Sequence, residues 1–305
     1  MAQPGDSRVR RWLDRDGPVD SLARLRSQDS PARLAAELAP LMDPDEDLLE
    51  ALGAWRACDV PERIEASLKI AGGLGVEVLR PGAAEWPSGV DDLGEYAPHT
   101  LWVLGDGSMA GAVQPWVAIV GSRRASSAGV NAVRALVGTE WAGKAGIVSG
   151  GALGIDAAAH AAALARGLAT IAVLAGGLDS LYPSGNAGLF ALIRAKGALM
   201  SESPCTERPL PQRFLGRNRI IAALADAVIV VEAAVRSGAL NTAGHAAALG
   251  RPTGVVPGRW TDPLSAGCWR IVRERHGLVL TEPEDGALLL GSHYRDLASP
   301  KPSQN

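Results

Sequence analysis

The sequence predicts an α/β protein: a Rossmann-like, doubly wound, mostly parallel sheet, preceded by a small all-α (SAM/helix-hairpin-like) domain. Three observations predict it. From Trp116 to Gly258 short apolar runs alternate with alanine-rich stretches of helical length, the pattern of successive βαβ units. Those runs are unbroken rather than alternating, as in Ala227 to Val231, which marks strands buried on both faces. Before them, Ser21 to about Leu79 carries its apolar residues at helical spacing.

The helical stretch reads as Leu34, Leu38 and Leu41, then Leu48, Leu49, Leu52 and Trp55, then Ile64 and Leu68. Asp43-Pro44-Asp45-Glu46-Asp47 separates two of these helices and supplies an N-cap carboxylate with acidic first-turn residues. Pro81 to Pro115, rich in Gly, Pro and Trp, leads into the main domain as an ordered segment, with Leu101 to Leu104 as an extra strand. The strands after it are Trp116 to Val120, Gly146 to Val148, Thr170 to Leu174, Ala198 to Met200, Ala227 to Val231 and Thr253 to Val256. Between them lie helices near Gly129 to Trp141, Asp156 to Arg166, Ala187 to Lys196, Asn218 to Leu224 and Thr242 to Leu249. Ile271 to Leu280 adds a helix and a strand. The expected division is an acidic helical domain over 1–80, a lead-in over 81–115, the Rossmann-like domain over 116–290 and a polar tail over 291–305.

The 305 residues are 47% hydrophobic and 21% charged, enough to build a sizeable core. Cys58, Cys205 and Cys268 are far apart and lack metal-ligand spacing, so neither a disulfide framework nor a metal site is expected. A reducing cytoplasm is the simplest compartment. No apolar h-region follows the N-terminal arginines and no run of 18 apolar residues occurs, so neither secretion nor a membrane span is expected. The net charge of −3 conceals an asymmetry: residues 1–85 hold 11 Lys/Arg against 16 Asp/Glu, whereas 113–260 hold 14 against 7. The middle of the chain is basic, as an anion-binding domain requires.

The turns at the strand ends carry the chemistry. Val120 leads to Gly121-Ser122-Arg123-Arg124, Val148 to Ser149-Gly150-Gly151, Leu174 to Ala175-Gly176-Gly177, and Val231 to Glu232 and then Ser237-Gly238. In a doubly wound sheet these turns share the carboxyl edge, where ligands bind at the point of strand-order reversal. Glycine permits close backbone approach, and a following helix offers free N–H groups to an anion. One such turn is as readily a plain strand-to-helix connection; four on one edge, with Arg123 held over them, point to a phosphate cradle.

Arg213-Phe214-Leu215-Gly216-Arg217-Asn218-Arg219 places three arginines and an aromatic within seven residues. Guanidinium groups pair with phosphates and Phe214 offers a face to an unpaired base, the requirement for gripping a single strand without reading its sequence. A salt-bridged surface loop with a buried Phe fits the same segment. Asp156 and His160 lie one helical turn apart and have the spacing for acid-base or metal chemistry; helix-end stabilisation by Asp156, with His160 in a polar contact, is the favoured reading. Glu232 is placed to be either a catalytic carboxylate or a partner for Arg123, Arg217 or Arg219, and the arginine-rich surroundings favour the second. No G-x-x-x-x-G-K-[ST] run is present, and Ser149 to Gly154 is an imperfect echo of the dinucleotide fingerprint, so no nucleotide cofactor is expected.

These residues resemble the DNA-processing protein A family (DprA, also called Smf). Val117 to Arg123 is similar to its opening strand and G-S-R turn, and Ser149-Gly150-Gly151-Ala152 through Gly154-Ile155-Asp156 and His160 to its S-G-x-A-x-G-I-D-x-x-A-H motif. Thr170 to Gly177 with Leu178-Asp179 and Tyr182-Pro183, Ser201-Glu202, and Phe214 with Arg217-Asn218-Arg219-Ile220-Ile221 follow in register. Val230 to Ala233, Ser237-Gly238-Ala239, Thr242-Ala243, Gly250-Arg251 and Val256-Pro257-Gly258 resemble its closing elements. The resemblance implies a non-enzymatic homodimer that binds single-stranded DNA and helps load a RecA-type recombinase in transformation or recombination. It also implies that Arg123, Arg217 and Arg219 line the DNA pocket. Leu153 and Ala128 stand where many members have Arg and Tyr, Gly267 to Val272 departs from the usual G-x-N-x-L-I-x-x-G-A, and no C-terminal winged-helix domain is expected.

The expected DNA contacts are therefore Gly121, Ser122, Arg123, Ser149, Gly150, Gly151, Arg213, Phe214, Arg217, Asn218, Arg219, Ser237 and Gly238, supported by Asp156 and Glu232. Two other readings remain: a nucleotide-processing hydrolase of the phosphoribohydrolase type, using Glu232 but lacking the P-G-G-x-G-T-x-x-E run, and a binding module for a free nucleotide.

Overall fold

Alternation within each buried strand decides which helices cover which face. In β3 (Trp116–Gly121), Trp116, Ala118 and Val120 enter one apolar cluster while Val117 and Ile119 enter another on the opposite side. In β7 (Ala227–Val231), Val228 and Val230 join the first cluster and Ala227, Ile229 and Val231 the second. Each such Val or Ile contributes about 1.5–3 kcal/mol on burial, so a strand slipped by one residue would lose both faces at once.

A computed structural model describes residues 5–27, 30–43, 47–111, 115–275 and 277–291. Among the described residues nine strands form one sheet: β1 (Glu77–Leu79), β2 (Leu101–Gly105), β3, β4 (Gly146–Ser149), β5 (Thr170–Leu174), β6 (Ala198–Ser201), β7, β8 (Thr253–Val256) and β9 (Leu278–Val279). Their order is β1-β2-β6-β5-β4-β3-β7-β8-β9. Pairing is parallel from β6 through to β9 and antiparallel where β2 meets β6 and β1. The chain moves outward from β3 to β6 and returns to place β7 beside β3, so the order reverses between β3 and β7. The doubly wound, mostly parallel expectation is met, and β1 adds Glu77–Leu79 to the sheet from within the stretch read as helical.

Among the described residues five α-helices precede the strands: α1 (Ser7–Asp16), α2 (Pro18–Arg26), α3 (Pro31–Leu38), α4 (Leu48–Cys58) and α5 (Pro61–Leu74). Trp12, Leu34, Leu38, Leu52 and Trp55 close a core of their own, with the two indoles stacked at 5.8 Å. Asp47 caps α4 by accepting from Glu50 N at 2.9 Å, as expected for its acidic lead-in; residues 44–46 lie outside the described residues. The helical unit is tied to the sheet domain by Arg11–Glu95 at 2.6 Å and Arg63–Glu207 at 2.8 Å, and Ser67 Oγ donates to the Cys205 carbonyl at 2.6 Å.

The short α6 (Ser108–Gly111) follows β2. One face of the sheet then carries α7 (Ser127–Gly138), α8 (Ile155–Ala165) and α9 (Ala187–Lys196); the other carries α10 (Pro211–Leu224), α11 (Gly238–Ala248) and α12 (Ala266–Arg275). The helix anticipated from Asn218 begins seven residues earlier, because Pro211 at its first turn starts it and absorbs the arginine-rich segment. α12 and β9 supply the helix and strand expected over 271–280; the polar tail from 292 lies outside the described residues. Among the described residues no helix is long and apolar enough to cross a membrane.

Candidate nucleic-acid interface

At the carboxyl ends of β3 and β7, where the strand order reverses, a crevice of about 590 Å³ opens. Gly121, Ser122 and Arg123 from the turn after β3 form one wall; Phe214, Arg217 and Asn218 from α10 form the second; Arg236, Ser237 and Gly238 at the start of α11 form the third. Ser122 Oγ accepts from Arg124 N at 3.1 Å and fixes the first turn, and Ser237 Oγ caps α11 through Ala239 N at 3.2 Å.

Four arginines reach this space: Arg123, Arg124, Arg217 and Arg236. Asp156 is the one carboxylate lining it among the described residues. Arg123, Arg124 and Arg236 are exposed and form no ion pair with a described residue. Arg217 is buried at the floor, where it donates to the Gly150 carbonyl at 2.6 Å and to the Val173 carbonyl. Burial brings its pKa down to about 10, which still leaves it charged at neutral pH.

Asp156 holds the neighbouring turn. Its carboxylate accepts from Gly150 N at 3.1 Å and Ala152 N at 3.4 Å, and burial pushes its pKa up against the opposing charge of Arg217. Gly150 sits between these groups: a Cβ there would lie 2.6 Å from the Arg217 guanidinium and 2.7 Å from the Asp156 carboxylate. Gly154, at φ +86°, brings the start of α8 against the Ser122 carbonyl, which accepts from Ile155 N at 3.1 Å. The turn after β3 and the turn after β4 are thereby locked together.

His160, one turn along α8, is fully buried; Thr170 Oγ1 donates to Ile147 O at 2.9 Å and so accepts from His160 Nδ1 at 2.8 Å. Burial, with the Arg217 charge, pushes its pKa down to about 3. His160 is a neutral core residue, in line with the polar-contact reading, and Asp156 binds the turn before its helix rather than the helix end alone.

The aromatic wall is a cluster of three. The Arg123 guanidinium lies over the Phe214 ring at 5.0 Å, and Tyr182 meets Phe214 edge-on with centroids 5.8 Å apart. Tyr182 is 53% exposed and presents its ring to solvent beside Phe214.

Several expected contacts are placed elsewhere. Ser149 is buried and donates to the Ile119 carbonyl at 2.6 Å, joining β4 to β3. Gly150 gives its N–H to Asp156, and Gly151 packs against Leu174 and Phe190. Arg213 pairs with Glu207 at 2.7 Å. Arg219 corrects the reading most: it points away from the crevice, reaches Glu202 with both terminal nitrogens at 2.8 and 2.7 Å, and donates to the Tyr96 carbonyl at 2.8 Å. The helix is the reason, since residues 217 and 219 lie two apart and face different sides.

Glu232 is a second correction. It pairs with none of the three arginines; it accepts from Ser126 N at 2.9 Å and from Ser126 Oγ, securing the start of α7. Arg124 and Arg236 also line the crevice; no motif marks them in the sequence, although each directly adjoins an expected contact, Arg123 or Ser237. Tyr182 likewise entered only as part of a motif. Ala128 and Leu153 are both exposed, Leu153 at 47%.

The family model described as DNA recombination-mediator protein A matches residues 77–288, a span that contains every wall of the crevice. The chain is 36% identical over 312 residues to the putative DNA processing protein DprA of Mycobacterium tuberculosis H37Rv, covering 99% of this chain and 75% of that one. It is 45% identical over 166 residues to the DNA processing protein DprA of Streptococcus pneumoniae R6, covering 54% and 58% of the two chains. The X-ray structure of DNA processing protein A from Streptococcus pneumoniae superposes with a TM-score of 0.74 at 30% identity, over 93% of this chain and 92% of that one. DNA processing protein A from Helicobacter pylori, whose structure concerns a single-stranded DNA binding mode, gives 0.64 at 28% identity, over 72% and 96%.

Proposed function

We propose that this chain, which belongs to the DNA recombination-mediator protein A family, binds single-stranded DNA in the crevice between β3 and β7 and works without catalysing a reaction. One observation carries the reading: four arginines converge on a crevice lined by a single described carboxylate, beside the ring pair of half-buried Phe214 and exposed Tyr182. Cations along a groove with aromatic faces at its wall suit a flexible strand whose bases are unpaired. Arg123, Arg124 and Arg236 hold phosphates in this account, Arg217 supplies a fixed positive charge from below, and the N–H groups at the start of α11 add donors.

The strand held there serves the loading of a RecA-type recombinase in transformation or recombination, a role that the family membership supports. The protein acts as a homodimer in the cytoplasm; its buried cysteines Cys205 and Cys268 are free thiols. The helical domain, acidic over residues 1–85 with 16 Asp/Glu against 11 Lys/Arg, contacts protein rather than DNA. The engagement of Glu232 with Ser126 weighs against the hydrolase alternative, which needs that carboxylate free.

The test is fluorescence anisotropy with single- and double-stranded oligonucleotides across a salt series, run beside gel filtration. Tighter, steeply salt-dependent binding of the single strand is expected. Equal binding of both forms, or displacement of the strand by mononucleotide, would move the assignment to another ligand.

A further inference from the structure

Beyond the Ser237–Gly238 turn the crevice does not end. A second groove of about 350 Å³ lies on the far side of that turn, and the two cavities share Leu215, Arg236, Ser237 and Gly238 as a common wall. The second groove is walled by Val235 and Leu240 on one side and by Arg270 and Ile271 of α12 on the other. Among the described residues no Asp or Glu lines it.

We infer that the second groove is a further nucleotide subsite, so that one strand runs from the Arg123–Phe214 wall over the Ser237–Gly238 turn and on to α12. This rests on the single-strand reading of the crevice. Three features fit the occupant. Arg236 stands on the shared wall, exposed and without an ion pair among the described residues, where the phosphate joining two successive nucleotides would pass. Leu215 and Val235 expose 53% and 52% of their surface there, apolar area suited to a sugar or a base face. Arg270 adds a second cation; its exposed pairing with Glu274 at 2.7 Å is weak enough to yield to a phosphate. Asn241, which also lines the groove, accepts from Asn218 Nδ2 at 3.1 Å through its carbonyl, a bond that does not use its own amide N–H groups.

The inference is tested on the full chain with an oligothymidylate of about 20 nucleotides. Val235→Glu places a carboxylate in the second groove alone, at an exposed position where folding is not at stake. It is expected to weaken binding about tenfold through like-charge juxtaposition, with an unchanged thermal midpoint and elution volume. Photocrosslinking of a 4-thiothymidine strand to the wild-type protein is expected to mark the α12 segment around Arg270 as well as the Arg213 to Arg219 segment. Wild-type binding that Val235→Glu leaves intact, with crosslinks confined to the first crevice, would overturn the subsite while sparing the crevice. A change of elution volume with unaltered DNA affinity would overturn it in favour of a second copy of the chain. Failure of the wild-type protein to bind the strand at all would instead sink the underlying reading.

Discussion

The Arg123 guanidinium carbon stands 5.0 Å from the centroid of the Phe214 ring, so the cation that follows β3 and the aromatic on the first turn of α10 form one surface. In the proposed mode, a base stacked on Phe214 would lie beside the Arg123 charge. Phe214→Ala is expected to cost about 1–3 kcal/mol of single-strand affinity while leaving the slope of log K against log salt nearly unchanged, since no phosphate contact is removed. Anisotropy at several salt concentrations measures both. A large fall in slope with little loss of affinity would show that the ring only positions Arg123.

Arg219 behaves oppositely, because it is a buried partner of Glu202 and lies outside the crevice. Arg219→Ala leaves the Glu202 carboxylate without its cation and is expected to lower stability by about 3–5 kcal/mol, read by thermal or urea unfolding. Below the transition the folded variant should bind DNA like the wild type. A loss of affinity without loss of stability would restore Arg219 to the DNA pocket.

Glu232 anchors Ser126 at the start of α7. Glu232→Gln is expected to lower stability by about 1 kcal/mol through a weakened charge-assisted hydrogen bond, with no effect on DNA binding. Base release from nucleoside monophosphates by the wild type, abolished in this variant, would reinstate the hydrolase reading.

His160 makes the fold acid-sensitive. Its folded pKa, near 3, lies below the ordinary 6.5, so the unfolded chain binds more protons between those values. Stability from this group is therefore complete above pH 6.5 and is lost progressively as pH falls toward 3. His160→Leu should flatten the dependence of unfolding free energy on pH in that window relative to the wild type. Parallel curves for the two proteins would exclude His160 as the source.

Much of this was legible in the sequence. Strand burial on two faces leaves unbroken Val/Ile/Ala runs, and the Gly-rich turns after them mark the sheet's carboxyl edge, so the position of the crevice and the roles of Gly121, Ser122, Arg123 and Phe214 as its walls could be read directly. The direction of each side chain within 211–219 was not legible: a segment read as leading into a helix is the helix itself, and its twist sends Arg217 inward and Arg219 to Glu202. The partner of Glu232 was hidden for a related reason. Ser126 is 106 residues away in the chain, and only the β3–β7 pairing brings the two together. Arg236 carried no motif, and its value arises from the cavity that it borders on both sides.

The most direct test is the salt dependence of Arg123→Ala on a single-stranded oligonucleotide. Arg123 is exposed, pairs with no described carboxylate and stands at the mouth of the crevice, so the variant should melt like the wild type. The expected result is a weaker complex whose log–log salt slope is shallower by about 0.7, the loss of one phosphate contact on a single strand. Affinity and slope both equal to those of the wild type would contradict the placement of DNA in this crevice.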